Sequence, residues 1–277
     1  MEDLNKFAKE IRLATMKELD YTGFGHYGGA LSMVELLAAL YGKEVKINPN
    51  DLNEKDRDFV VLSKGHSGPS LYATLILKKF MPYDWIKTLN KNGTNLPSHP
   101  DRLKTPGVDM TTGSLGQGVS VATGMAYGLK FGNRKGNVYA IVGDGELNEG
   151  QCWEAIQFAS AKQLDNFYLF IDWNKKQNDG WSTDINLAES PYEEMRGFNF
   201  DLQLIKGTDA NLIYDAIQKA KTVKGKPHCI VLDTTKGQGI PYLEQLTANH
   251  HVRPTEEMTK IFRKEIDRLE KELAKED

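Results

Sequence analysis

Gly143-Asp144-Gly145-Glu146, with Asn174 30 positions beyond Asp144, decides how this chain folds and where it binds. The quartet follows Asn137-Val138-Tyr139-Ala140-Ile141-Val142, and Asn174 follows Phe167-Tyr168-Leu169-Phe170-Ile171-Asp172. Both runs are short and largely apolar, without polar alternation, as in strands of a sheet covered by helices on both faces. In such α/β sheets ligands bind beyond the carboxyl ends of the strands. A carboxylate and an amide at those ends offer oxygen donors, which suit a hard cation such as Mg2+ or Ca2+. Taken alone, Gly143-Asp144-Gly145 reads equally well as a tight turn.

Outward from these two strands, the pattern alternates helix and strand. Residues 115–130 and 150–162 read as helices, 58–62, 202–206 and 229–233 as further strands, and 209–222 as a helix. Toward the N-terminus, 4–19 is an amphipathic helix. Residues 32–41 form another, with Ser32 as N-cap and Glu35 completing a capping box. A helix from Pro69 to about Phe80 and a shorter one over 83–89 follow. There are three long loops, 91–112, 174–192 and 236–254, and the first exceeds what packing alone needs, which marks function. The expected fold is α/β, with a mostly parallel central sheet and helices on both faces. It forms one domain over 1–277 that ends in a charged surface helix, 255–275.

Several punctuated turns carry chemistry. Gly113-Ser114-Leu115-Gly116-Gln117-Gly118 opens a helix, so backbone N–H groups and a helix N-terminus can approach an anion. His26 lies in Gly23-Phe24-Gly25-His26-Tyr27-Gly28-Gly29, His66 in Ser63-Lys64-Gly65-His66-Ser67-Gly68-Pro69, and His99 in Pro97-Ser98-His99-Pro100. Histidine moves protons near neutral pH, although a single loop histidine is more often a polar surface residue. With His250, four of the six histidines sit in such turns.

These fragments, in this order, resemble the transketolase family of thiamin-diphosphate enzymes. They include Gly25-His26, Lys64-Gly65-His66, Ser98-His99-Pro100, Thr111-Thr112-Gly113-Ser114-Leu115-Gly116-Gln117-Gly118 and Gly143-Asp144-Gly145-Glu146 with Glu149-Gly150, then Asp172-Trp173-Asn174-Lys175-Lys176-Gln177-Asn178-Asp179-Gly180. The chain is similar to the N-terminal half of that family, and more narrowly to the first subunit of its split forms. The resemblance implies the thiamin-diphosphate-binding fold and a Mg2+ (or Ca2+) ion held by Asp144, Asn174 and the main-chain oxygen of Lys176. It implies cofactor contacts from His66, Gly113, Ser114, Leu115, Gly145, Asn174 and His250. It implies His26, His66, His99 and His250 as the catalytic imidazoles along a sugar-phosphate channel. The Lys175-Lys176 pair can also be read as an anion site, Leu115 as core, and His251 in place of His250.

The family's activity is transfer of a two-carbon glycolaldehyde unit from a ketose phosphate to an aldose phosphate. Full-length members add a domain supplying the glutamate that protonates the cofactor's aminopyrimidine and the basic residues that hold substrate phosphate. This sequence stops at Asp277 before such a domain. The resemblance therefore implies a partner subunit carrying it, in an α2β2 assembly with active sites between polypeptides. Glu146 and Glu149 do not replace that glutamate; Glu149 reads as part of a subunit contact or hydrogen-bond network. Thr208 stands where the family often has histidine. Two readings compete. One is a thiamin-diphosphate enzyme subunit that takes a specialised ketose phosphate or a 2-oxo acid. The other is a non-catalytic diphosphate-binding scaffold.

Bulk properties fit an enzyme subunit. A formal charge of −3, with scattered Lys and Arg, gives no reason to expect nucleic acid as a partner. The first residues form no signal peptide, and no apolar run is long enough for a membrane span. Cys152 and Cys229 follow no metal or redox spacing, so the expected setting is a reducing cytoplasm.

Overall fold

The computed structural model describes residues 3–186 and 190–276. Among these, five strands form one sheet: β1 (Phe59–Leu62), β2 (Val138–Gly143), β3 (Phe167–Trp173), β4 (Asp201–Lys206) and β5 (His228–Asp233). Their order is β1-β2-β3-β5-β4 and every neighbouring pair is parallel. The helices are α1 (Leu4–Thr22), α2 (Tyr27–Leu31), α3 (Val34–Ala39), α4 (Gly68–Leu77), α5 (Gln117–Phe131), α6 (Gly150–Ala161), α7 (Ser182–Ile185), α8 (Pro191–Met195), α9 (Ala210–Lys221), α10 (Pro241–Gln245) and α11 (Glu256–Leu273).

The period-2 geometry of the strands divides their side chains between two cores. Tyr139, Ile141, Tyr168, Phe170, Ile230 and Leu232 pack with α1, α3, α4 and α9. Val138, Ala140, Val142, Phe167, Leu169, Ile171 and Val231 face the other way, onto Val119 and Ala122 of α5 and Ile156 and Ala159 of α6. Both faces are covered, which explains why these strands lack polar positions. α11 packs on α1 and buries Phe262, Ile266 and Leu269, with the Phe262 ring against Tyr27 and Tyr242.

The strands fall within one residue of their expected bounds, and the helices differ more. Ser32 is not the N-cap of the helix that follows; it ends α2, and Met33 precedes α3. The Ser32 hydroxyl is buried and reaches Gly29 O at 3.1 Å and Asp172 Oδ2 at 2.7 Å, and α3 starts after it at Val34. The capping-box partner Glu35 instead binds Arg12 of α1 at 2.5 Å and Gln238 at 2.7 Å. The segment 27–31, read as part of a glycine turn, is a helical turn. The loops at 174–192 and 236–254 contain α7, the start of α8, and α10; residues 187–189 lie outside the described residues.

Glu18 of α1 is 0% exposed, and neither carboxyl oxygen has a protein partner. Burial raises its pKa well above the ordinary value, so the folded chain holds it neutral. A raised folded-state value gives stability that is complete below the unfolded pKa and is lost as pH rises toward the folded value. Glu18→Gln removes that dependence. The variant should exceed the parent in stability at about pH 8, on the order of 1–3 kcal/mol, with the gap closing near about pH 4. Denaturant unfolding at both pH values measures it.

Candidate functional site

The carboxyl ends of β1, β2, β3 and β5 open onto one cleft, and the residues just past them build its floor. Glu146 is the organiser. Its Oε1 accepts from Ser63 Oγ at 2.5 Å and from Gly116 N at 2.8 Å, and its Oε2 accepts from Gly143 N at 3.2 Å. One buried carboxylate thereby fixes the ends of β1 and β2 against the turn that starts α5. Thr112 Oγ1 adds a bond to Leu62 O at 2.7 Å. The two glycine turns meet backbone to backbone: a Cβ on Gly65 would lie 2.7 Å from Gly113 N. Gly113 itself has φ 144°, which favours glycine, and it sits against the His99 ring, where a Cβ would lie 3.2 Å away.

The acidic end of the cleft is pre-arranged. Asp144 Oδ1 accepts from Gly145 N at 2.8 Å; Oδ2 accepts from Lys175 N at 2.8 Å and Ser182 Oγ at 3.0 Å. Burial, then the nearby Asp172, pushes Asp144 up to about 6. Asn174 donates its Nδ2 to Asp172 Oδ2 at 2.8 Å, which leaves Oδ1 as the oxygen on the other side. The Lys176 side chain turns away. Its Nζ donates to Leu246 O at 3.0 Å and lies 4.6 Å from the centre of the Trp181 ring, so the main-chain oxygen is what Lys176 offers the cleft.

Beneath them Asp172 and Lys64, both 0% exposed, form an ion pair. Asp172 also accepts from Ser32, Asn174 and Thr234 Oγ1, the last at 2.5 Å. Burial pushes its pKa up, but Lys64 and these donors more than offset that and hold it below the ordinary value.

The histidines converge. The His26 ring centre lies 5.8 Å from His66, 5.6 Å from His99 and 5.3 Å from His250, and His66 lies 4.6 Å from His250. All four line the cleft. His251 is exposed; its ring packs on Phe24 and on His26, and it is not among the residues that line the cleft. Burial, then neighbouring positive charge, lowers His26 to about 4 and His250 to about 3. Burial lowers His66 and His99 as well. Near neutral pH all four are uncharged imidazoles, each offering one donor and one acceptor.

Of the residues singled out from sequence, His26, His66, His99, His250, Gly113, Leu115, Asp144, Gly145, Asn174 and Lys176 line this one cleft. Ser114, between two lining residues, is exposed and is not among them. Lys64, Glu146, Gln177, Asn178, Asp179 and Lys236 line it too and were not singled out as site residues. A signal for two of them was present: Lys64-Gly65 and Lys236-Gly237 each set a lysine against a glycine turn beyond a strand.

The donor set fits a phosphorylated group bridged by a hard cation. Among the described residues no cluster of three or more His, Cys, Asp or Glu could hold a metal alone. A cation here would take one carboxylate, one amide and a main-chain oxygen, and complete its shell from phosphate and water. Gln177 lines the cleft with a buried Nε2 that has no protein acceptor, a donor an oxyanion would satisfy.

A parallel sheet with both faces covered, and a polar cleft of oxygen donors and neutral imidazoles at its strand ends, defines the class of α/β proteins that bind a charged cofactor beyond the sheet. The chain belongs to the transketolase family: residues 4–268 match the model "Transketolase, thiamine diphosphate binding domain". It is 46% identical over 272 residues to the 6-deoxy-6-sulfo-D-fructose transketolase subunit of Clostridium sp. (strain MSTE9), covering 98% of each chain. It is 35% identical to one of the apulose-4-phosphate transketolase subunits of Actinobacillus succinogenes, over 96% of each. Among solved structures, transketolase from Campylobacter jejuni superposes with a TM-score of 0.88 at 29% identity, over 96% of this chain but 43% of that one. The chain thus spans about the full length of the split-type relatives and under half of this solved transketolase. No helix among the described residues is long and apolar enough to cross a membrane.

Proposed function

We propose that this chain is the diphosphate- and metal-holding subunit of a split transketolase, moving a two-carbon ketol unit from a ketose phosphate to an aldose phosphate. The observation that carries it is the convergence of His26, His66, His99 and His250 on the cleft that also holds Asp144 and Asn174. Asp144, Asn174 Oδ1 and the Lys176 main-chain oxygen would hold Mg2+. Gly113, Leu115, Gly145, Gln177, His66 and His250 would hold thiamin diphosphate, which supplies the carbanion chemistry when bound.

The chain's own residues then have three tasks. The Glu146-braced glycine turns present backbone N–H groups to an anion. The buried Asp172 orients Asn174 so that its oxygen, not its nitrogen, meets the cation. A neutral imidazole can donate to a sugar oxygen or accept its hydroxyl proton, and the His26 ring centre lies 5.3–5.8 Å from those of His66, His99 and His250. Neutral rings do not repel one another, which lets four share one cleft.

A partner subunit completes the site in this reading, in an α2β2 assembly. Two curated relatives of matching length are named as subunits, which supports it. One relative also favours a narrower donor: the 46% identical protein is named for a sulfonated ketose. Co-purification with the partner, followed by transfer assays over ketose phosphates and 6-deoxy-6-sulfo-D-fructose, tests both. Transfer from ketose phosphates supports the general reading. Transfer confined to the sulfonated donor supports the narrower one, and no transfer from any donor defeats both.

A further inference from the structure

Lys236 follows β5, is 2% exposed, and lines the cleft beside the histidines. Its Nζ makes three contacts: Lys176 O at 2.9 Å, Gln177 O at 3.0 Å and His250 Nδ1 at 3.1 Å. Burial, then Lys64, lowers Lys236 to about 8, so near neutral pH it is mainly an ammonium, with three protons and no lone pair. Two of its neighbours are carbonyl oxygens, which only accept. The third contact is a hydrogen bond only if Nδ1 of His250 carries no proton. A neutral imidazole with bare Nδ1 has its proton on Nε2, and among the described residues nothing bonds His250 Nε2.

The pairing of these two side chains is built into the backbone. Asn249 Nδ2 donates to Lys236 O at 2.9 Å and Leu243 O at 2.8 Å. Gly28 N donates to Asn249 O, and Gly237 N to Gly28 O, each at 3.0 Å. A Cβ on Gly28 would come within 2.4 Å of Asn249 O and 2.8 Å of Lys236 Cγ. The loop bearing His26, the start of the 236–250 segment and its end are locked together. His250 therefore cannot drift from the ammonium without breaking several bonds.

We propose that Lys236 is a positioning residue that holds His250 as its Nε2–H tautomer, so that His250 enters the reaction as a hydrogen-bond donor to an oxygen in the cleft and not as a base. The competing role for Lys236 is a simple staple between the 174–180 and 236–250 loops, which would leave the tautomer free. The inference concerns a proton on this chain, so it stands or falls separately from the ketol-transfer reading. It gives that reading a direction: His250 stabilises negative charge growing on an oxygen, while proton uptake falls to another of the cleft imidazoles.

The test is a two-bond 1H–15N correlation spectrum of the chain labelled with 15N-histidine at neutral pH. The His250 signals are identified by their loss in His250→Asn. The expected result is a single Nε2–H pattern for His250. In Lys236→Met it should give way to a mixture of tautomers while the other histidines keep their signals, and Lys236→Arg, also a pure donor, should restore the single pattern. An Nδ1–H or averaged pattern in the parent overturns the proposal, and so does an unchanged Nε2–H pattern in a folded Lys236→Met. Should Lys236→Met fail to fold, the parent and Lys236→Arg spectra decide.

Discussion

Asp144→Ala should weaken thiamin diphosphate binding in the presence of Mg2+ by about 100-fold. Substituting groups that merely orient a metal ligand typically costs 10–100-fold, so loss of the charged ligand itself belongs at or beyond the upper end, near about 2.7 kcal/mol. The carboxylate is the one charged oxygen donor among the proposed ligands. It is also already paired with Gly145 N, Lys175 N and Ser182 Oγ, so alanine leaves three donors without an acceptor. Asp144→Asn separates the two effects: it keeps an accepting oxygen and loses the charge. Affinity should fall for both variants, more for alanine. Calorimetry on the assembled complex, with and without a chelator, reads it; metal-dependent affinity equal to the parent's in Asp144→Ala removes Asp144 from the metal site.

Lys64→Met should cost more stability than any other single change in the cleft, about 3–5 kcal/mol. The substitution removes the cation and leaves Asp172 charged and fully buried among Ser32, Asn174 and Thr234. For a chain of this size that is a fall of about 10 °C in melting temperature. Neutralising the partner as well, in Lys64→Met with Asp172→Asn, should recover much of the loss, because the penalty lies in the orphaned charge more than in the lost attraction. A single variant melting within about 2 °C of the parent would show that the pair is not a buried charge pair in solution.

What the sequence revealed follows from how local each signal is. The central strands were legible because a strand buried on both faces needs a continuous apolar run, and Val138–Val142 and Phe167–Ile171 are such runs; β4, partly exposed at the sheet edge, rests on its place in the alternating pattern. The cleft was legible because several glycine turns beyond strand ends recur with histidines in one order, although any one of them alone reads equally well as a tight turn. Ser32 misled because its role is set by Asp172, 140 positions away, whose carboxylate takes the hydroxyl that a helix end would otherwise use. The helical turn at 27–31 was hidden by Gly28 and Gly29, whose low helix propensity is overridden by close contact with Asn249 and His66. Lys64 and Lys236 escaped notice as site residues for a related reason. A lysine reads as a surface residue until the fold supplies a buried acid or a triad of acceptors. The choice between His250 and His251 likewise depended on which ring the 236–254 loop turns inward, which spacing does not encode.

In the proposed function, this chain holds one end of a cofactor whose other end belongs to a second polypeptide. The direct measurement is two-carbon transfer by the purified chain, alone and mixed with its partner subunit, with thiamin diphosphate and Mg2+ present in both. No transfer by the chain alone and full transfer by the mixture are expected, since reacting groups a small distance out of register lose rate steeply. Full transfer by the chain with no partner present would contradict this division of the site.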